Sequence, residues 1–383
     1  MATLYNHKDL EGIIMECPDE HDYDYSGPKI MIDKQTGNKL YAYVTLIMLG
    51  DKYIPGAVVL AYYLKKINTQ ADLVAIVTPD VSVDGKKVLS LFYDRVIDVP
   101  LIKIPNWRTE KQPHRKYLDY VFTKFNIFNL TEYKKVILID ADALVLKFPD
   151  HLFSLDAPAG SLIQYKSDII TYDKKGNYIL PGNKEIKWYN DYCGCCGHGR
   201  KIPKKFTDKV ATEKNNSGVG AAILLLEPKK GELESILEDI KKEPVKRLVN
   251  KFFIWPEQQY LTYRYSGKWT GVNPRFYGLQ GYPHWKLLNV LQFAGDKPWF
   301  LDSKTDITER MKYEDFILWH KIYKDILIDH PDLKINKVLS EANEMNKFFT
   351  VQIQREQHSG QIFRQSEQHE YNNVFMLILL AQS

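Results

Sequence analysis

Val136-Ile-Leu-Ile-Asp-Ala-Asp-Ala-Leu-Val-Leu146 is the stretch from which the fold can be read. Its first four residues are aliphatic without alternation, which fits a central strand buried on both faces of a parallel sheet. Two carboxylates, Asp140 and Asp142, follow at once. In α/β sheets ligands collect outside the carboxyl ends of the strands. In extended backbone, residues i and i+2 point to the same side, so both carboxylates aim at one spot. Two ionised carboxylates ~6 Å apart repel by roughly 3 kcal/mol at an effective dielectric near 20. A divalent cation removes that repulsion, and hard oxygen ligands select Mn²⁺ or Mg²⁺. The competing reading is a turn or a helix N-cap; the place after a buried strand favours the metal.

Working outward, strands and helices alternate. Leu40 to Met48, Asp72 to Thr78 and Arg95 to Val99 read as strands, and Pro55 to Ile67 and Val81 to Tyr93 as helices. This spacing predicts parallel βαβ units with right-handed crossovers. A helix is expected from about Tyr117 to Phe128, a core strand from Val219 to Leu226 and a charged helix from Gly231 to Lys242. Further helices are expected from about Tyr313 to Asp329 and near Val338 to Phe349.

The organisation that follows is an N-terminal arm at 1–39, an α/β domain at 40–300, a helical extension at 301–350 and a tail at 351–383. Residues 164–213 are polar and irregular and read as an insertion or long loop. Cys193-Gly-Cys-Cys196-Gly-His198 within it has zinc-type ligands, but the spacing is tight and no second knuckle is visible.

The formal net charge is +4, with 52 basic and 48 acidic side chains, a balance that gives no argument for nucleic acid. The chain has four cysteines, too few for a disulfide framework at this length. The N-terminal stretch lacks the pattern of a signal peptide, and no apolar run approaches the ~20 residues of a membrane helix. A cytoplasmic protein without membrane partners is expected. A homodimer is compatible with the sequence.

The stretch from Val136 to Leu146, continuing to His151-Leu-Phe153, resembles the corresponding region of the glycogenin and galactinol synthase group of family 8 glycosyltransferases. The resemblance runs from about residue 41 to 299. It includes Tyr43-Val-Thr-Leu46 with Gly50-Asp-Lys-Tyr53 and Gly56, then Asn216-Ser-Gly218, Glu257-Gln258, and Gly295 followed by Lys297-Pro-Trp299. All of these pieces stand in the group's order.

The resemblance implies a GT-A type, Rossmann-like nucleotide-sugar-binding fold with a mostly parallel central sheet. It implies hexosyl transfer from a UDP-sugar with retained anomeric configuration, to a glycan, protein or small-molecule acceptor. Leu46, Tyr53, Ala141, Ser217, Gly218 and Gly295 would line the donor site. Arg115, Lys124 and Lys297 would neutralise the diphosphate, an arginine by its fork of donors and a lysine as a point charge. Asn216 and Gln258 suit sugar hydroxyls. Glu257 would orient an acceptor or stabilise positive charge at the anomeric carbon. Lys124, Glu257 and Gln258 are the expected catalytic residues.

Asp140 and Asp142 would hold the cation. The group completes that site with a histidine where this chain has Gln292. Either Gln292 ligates through its carbonyl oxygen, or His284 takes over, or the protein binds sugar nucleotides or glycans without turnover. A nucleotidyltransferase is a weaker alternative, since Gly50 to Gly56 is a poor phosphate loop. Tyr277 and Tyr282 fall in the interval that carries glycogenin's self-glucosylated tyrosine, without a match that fixes either.

Overall fold

A computed structural model describes residues 25–163, 171–172, 178–179, 198–214, 216–280, 285–300 and 314–358. The chain divides into two compact units, residues 1–295 and 296–383.

In the first unit the core is a seven-stranded sheet. Its parallel half contains β1 (Tyr41–Ile47), β2 (Asp72–Val77), β3 (Arg95–Asp98) and β4 (Lys135–Ile139), in the spatial order β4-β1-β2-β3. Val136 to Ile139 are buried, as their unbroken aliphatic run predicts. Helix α1 (Ile54–Lys66) joins β1 to β2; Pro55 starts it, and Lys65 and Lys66 lie in its last turn, where cations suit the helix dipole. Helix α2 (Val83–Ser90) follows β2, its Ser82 cap accepting from the Gly85 N–H at 2.9 Å.

Short strands extend the architecture. After β4 come β5 (Ala143–Val145), β6 (Ala159–Gly160), β7 (Leu162–Ile163), and the small antiparallel pair β8 (Thr171–Tyr172) and β9 (Tyr178–Ile179). Next are β10 (Gly218–Val219), β11 (Ile223–Leu226), β12 (Thr270–Gly271), β13 (Gly278–Leu279) and β14 (Val290–Gln292). Strand β11 lies antiparallel to both β4 and β6, while β12 pairs parallel with β6. The sheet is therefore mostly parallel, with β11 reversed beside its central strand. Helices α3 (Glu232–Ile240) and α4 (Pro256–Arg264) belong to the same unit.

Two sequence expectations change in form. The helix expected from Tyr117 to Phe128 is a pair of 3₁₀ segments, Pro113–Asp119 and Val121–Asn129. Phe122, Phe125 and Phe128 recur every three residues, which matches the 3₁₀ repeat and lines their rings along one buried face. The strand expected from Val219 to Leu226 is split: β10 pairs with β7, and only β11 joins the main sheet. Gly220 lies at the break, where a Cβ would collide with the ring of Tyr277.

The second unit contains α5 (Glu314–Asp329) and α6 (Ser340–His358). Trp319 stacks on Tyr323 and lies tilted against Trp299 within it, and the Tyr323 hydroxyl donates to Asn343 Oδ1 at 2.9 Å. Helix α6 runs to His358, past residue 350, where the sequence reading ended the helical extension. Among the described residues no helix is long and apolar enough to cross a membrane.

Candidate active site

Asp140 leaves β4 with its N–H bonded to the Ala222 carbonyl at 2.9 Å, so the reversed strand β11 fixes where the chain departs from the sheet. The backbone then turns rather than continuing extended: the Ala143 N–H returns to the Asp140 carbonyl at 3.0 Å. The two carboxylates thus converge through a turn and not through the strand alternation that the sequence predicts. Strand β5 next pairs with β14 in antiparallel register, placing Gln292 opposite Ala143. The Phe293 N–H bonds the Asp142 carbonyl at 2.8 Å, which locks that register beside the turn.

Gln292 therefore reaches both carboxylates. Its Nε2 lies 3.4 Å from Asp140 Oδ2 and 3.3 Å from Asp142 Oδ1. A half-turn of the amide exchanges nitrogen for oxygen and leaves the shape unchanged. The same position then completes a set of hard oxygen donors, which suits Mn²⁺ or Mg²⁺. Among the described residues no group of three or more His, Cys, Asp and Glu side chains is gathered for a metal; beside the two carboxylates stands the Gln292 amide. His284 lies outside the described residues.

Lys124 comes from the second 3₁₀ segment and is buried. Its Nζ lies 2.6 Å from Asp140 Oδ1 and 3.7 Å from Glu257 Oε1. Burial disfavours its charge, but Asp140 and Glu257 outweigh that and hold its pKa above the ordinary range. Asp140 is pushed up to about 6, first by burial; Asp142 and Glu257 add to this, and Lys124 opposes it. Asp140 and Glu257 thus share one ammonium. Glu257 is buried, and its Oε2 has no hydrogen-bond partner among the described residues. An orphaned buried oxygen and excess negative charge both fit a cationic or hydrogen-bonding guest.

Tyr53 lies near this pair: burial, then Asp142, Tyr117 and Asp140, push its phenol up. Leu46 is partly buried on β1, and Ala141 is buried inside the turn. Arg115 donates from Nη1 to the Tyr117 hydroxyl at 3.3 Å and stands 5.5 Å from the Trp255 ring centre.

The Asn216-Ser-Gly218 segment is held by side chains from α4. Gln258 donates from Nε2 to the Ser217 carbonyl at 2.7 Å and accepts the Ala221 N–H at 2.9 Å. Asn216 accepts the Gly218 N–H at 3.0 Å and donates to Glu213 at 3.1 Å. Both amides are therefore committed at each end to the protein, with one N–H and one lone pair remaining in each. Asn216 shapes the entry to β10, and Gln258 ties that entry to the turn between β10 and β11. Gly218 has φ +72°, and a Cβ there would collide with the Thr262 hydroxyl. Gly218→Ala is expected to destabilise the protein by roughly 2–4 kcal/mol, read as a lower urea midpoint. An unchanged midpoint would show that this turn adjusts freely.

Gly295 ends the first unit; a Cβ there would meet Gln280 Nε2 at 3.3 Å. Gln280 escaped the sequence reading, and its Oε1 is buried without a partner among the described residues. Lys297 belongs to the second unit, where it is buried. Tyr277 is buried against Gly220, while Tyr282 and Cys193 to Cys196 lie outside the described residues.

His198, at the end of the cysteine cluster, is described. Its Nδ1 accepts the Asn273 N–H at 2.9 Å, so its proton sits on Nε2. That Nε2–H donates to His151 Nε2 at 2.7 Å, and His151 Nδ1–H donates to the Ser26 carbonyl at 3.0 Å. Burial, then His151, holds the His198 pKa down to about 3. In this tautomer His198 Nε2 has no lone pair for zinc.

Carboxylates at the carboxyl end of a central strand, bridged by an amide and partly balanced by a buried lysine, thus stand on a GT-A type α/β fold. Residues 44–276 match the family described as Glycosyl transferase family 8, and the chain belongs to that family. It is 33% identical over 308 residues to an uncharacterized protein of Acanthamoeba polyphaga mimivirus, covering 76% of this chain and 95% of that one. It is 26% identical over 334 residues to galactinol synthase 2 of Arabidopsis thaliana, covering 83% and 91%. With the glycogenin of Neurospora crassa it shares 35% over 120 residues, spanning 31% of this chain but only 17% of that protein. Among solved structures it is similar to the galactosyltransferase LgtC, with 15% identity and a TM-score of 0.46, covering 74% and 95%.

Proposed function

We propose that the chain transfers a hexose from a UDP-sugar to a hydroxyl acceptor, a glycan, protein or small polyol, with retention of anomeric configuration. The observation that carries this reading is the placing of Gln292 across Asp140 and Asp142, beside buried Lys124. A divalent cation, Mn²⁺ or Mg²⁺, held by these three groups would supply electrophilic charge to the departing diphosphate.

The protein's own residues supply the rest. Lys124 holds Asp140 in place and keeps a positive charge beside the donor site. Arg115 is a further cation for the diphosphate, and the family resemblance gives Lys297 the same role. Glu257 presents its orphaned Oε2 toward donor or acceptor hydroxyls, and Gln258 fixes the Ser217 to Ala221 backbone next to them. Leu46 and Tyr53 border the nucleoside. Because UDP is already a good leaving group, catalysis is mainly positioning and electrostatic stabilisation. A cytoplasmic setting goes with this reading.

Calorimetric titration with UDP tests it. UDP is expected to bind at least about tenfold more tightly with Mn²⁺ or Mg²⁺ than with EDTA. That gain should fade as the pH falls through about 6, because a proton on Asp140 competes with the cation. UDP affinity indifferent to both metal and pH would count against the cation site.

A further inference from the structure

Beside the site lies a group of cations gathered over two indoles. Trp107 and Trp255 are both partly buried. Lys214 Nζ stands 4.3 Å and Lys111 Nζ 5.2 Å from the Trp107 ring centre. The guanidinium groups of Arg108 and Arg115 stand 4.7 Å and 5.5 Å from the Trp255 ring centre. The assembly is fastened to one backbone segment. Trp107 Nε1 donates to the Phe253 carbonyl at 3.0 Å, and Arg108 Nη1 donates to the Ile254 carbonyl at 2.8 Å.

Among the described residues none of these four cations is in an ion pair. The nearby carboxylates are engaged elsewhere or stand apart. Asp119 accepts from the Asn106 N–H and the Thr109 hydroxyl, and Glu213 pairs with Lys209. Glu110 is exposed and bonds none of the four. The repulsion is felt: burial, then Arg115, pulls the Arg108 pKa down. Arg115 Nε is buried and has no partner among the described residues.

Like charges held together, ordered over aromatic faces and left without anions, make a surface complementary to an anion. Its position says which kind. Trp255 immediately precedes α4, and two residues on is Glu257, 3.7 Å from Lys124. The patch thus adjoins the place where the proposed transfer occurs. The indole faces carry the cations, and these ammonium and guanidinium groups suit the carboxylate, sulfate or phosphate substituents of a sugar chain.

We propose that Trp107, Trp255, Arg108, Lys111 and Lys214 form the acceptor-docking surface for an anionic glycan. This rests on the glycosyl-transfer reading above and adds the charge of the acceptor to it.

The test is binding of four probes to the full chain: a sulfated heparin hexasaccharide, a hexagalacturonate, maltohexaose and a single-stranded oligothymidylate. At least one anionic oligosaccharide is expected to bind tenfold or more tightly than maltohexaose and oligothymidylate. Which of the two binds names the anion. Changing both Lys111→Gln and Lys214→Gln should weaken that binding about tenfold, while UDP affinity stays as in the wild type. Equal binding of maltohexaose, tighter binding of the oligonucleotide, or unchanged affinity in the double variant would overturn the proposal. UDP binding without any anionic-glycan binding would remove this inference alone. Failure of the wild type to bind UDP would remove the donor reading beneath it.

Discussion

Replacing Lys124 by methionine is expected to lower both stability and turnover. The side chain is buried and its ammonium is 2.6 Å from Asp140 and 3.7 Å from Glu257. Methionine fills the volume but leaves Asp140 and Glu257 without their counter-ion and close to Asp142. Breaking one side of a buried pair typically costs about 3–5 kcal/mol. The urea midpoint should fall accordingly in EDTA, and Mn²⁺ should restore part of it, because a cation can then stand in for the lost ammonium. Turnover should fall by roughly 10²–10³-fold, as when one preorganised electrostatic partner is removed. A variant as stable as the wild type in EDTA would mean that Lys124 does not neutralise this cluster.

Asp142→Asn is expected to separate function from stability in the opposite sense. Asp142 is one of the causes that raise the Asp140 pKa, so the pair is mutually repulsive when both are ionised. Asparagine keeps the shape and removes that repulsion, and the urea midpoint in EDTA should be unchanged or slightly higher. The cation loses one of two anionic ligands. UDP release should therefore drop by about 10³-fold or more, and Mn²⁺ should no longer stabilise the protein against heat. Retained turnover would show that the cation, if one is used, is held elsewhere.

Much of this was legible in the sequence, for reasons of range. Strands β2 and β4 announce themselves by buried aliphatic runs and β1 by a largely apolar buried one, and Asp140 and Asp142 by following β4. Strand β11 is as apolar as β4, but an apolar run reads the same in either direction. Its antiparallel course beside β4 could not be foreseen. The spacing of Phe122, Phe125 and Phe128 satisfies an α-helix or a 3₁₀ segment, and only the packing decides.

The site divides in the same way. Gln292 was reachable through resemblance, while its contact with both carboxylates depends on the β5–β14 register across some 150 residues. The pairing of Lys124 with Asp140 was not foreseen either, because nothing local links a 3₁₀ segment to the end of a strand. Arg108 and Trp255 had no signal at all in the sequence. They meet because Arg108 bonds the Ile254 carbonyl, 146 residues away along the chain.

Release of UDP from a panel of UDP-sugars, with Mn²⁺, Mg²⁺ or EDTA, most directly tests whether Asp140, Asp142 and Gln292 hold a cation that activates the donor. Metal-dependent release from one donor, absent in EDTA and in Asp142→Asn, is the predicted result. No release from any donor with any metal, while UDP still protects the protein against heat, would contradict it and leave a sugar-nucleotide-binding protein of the same family.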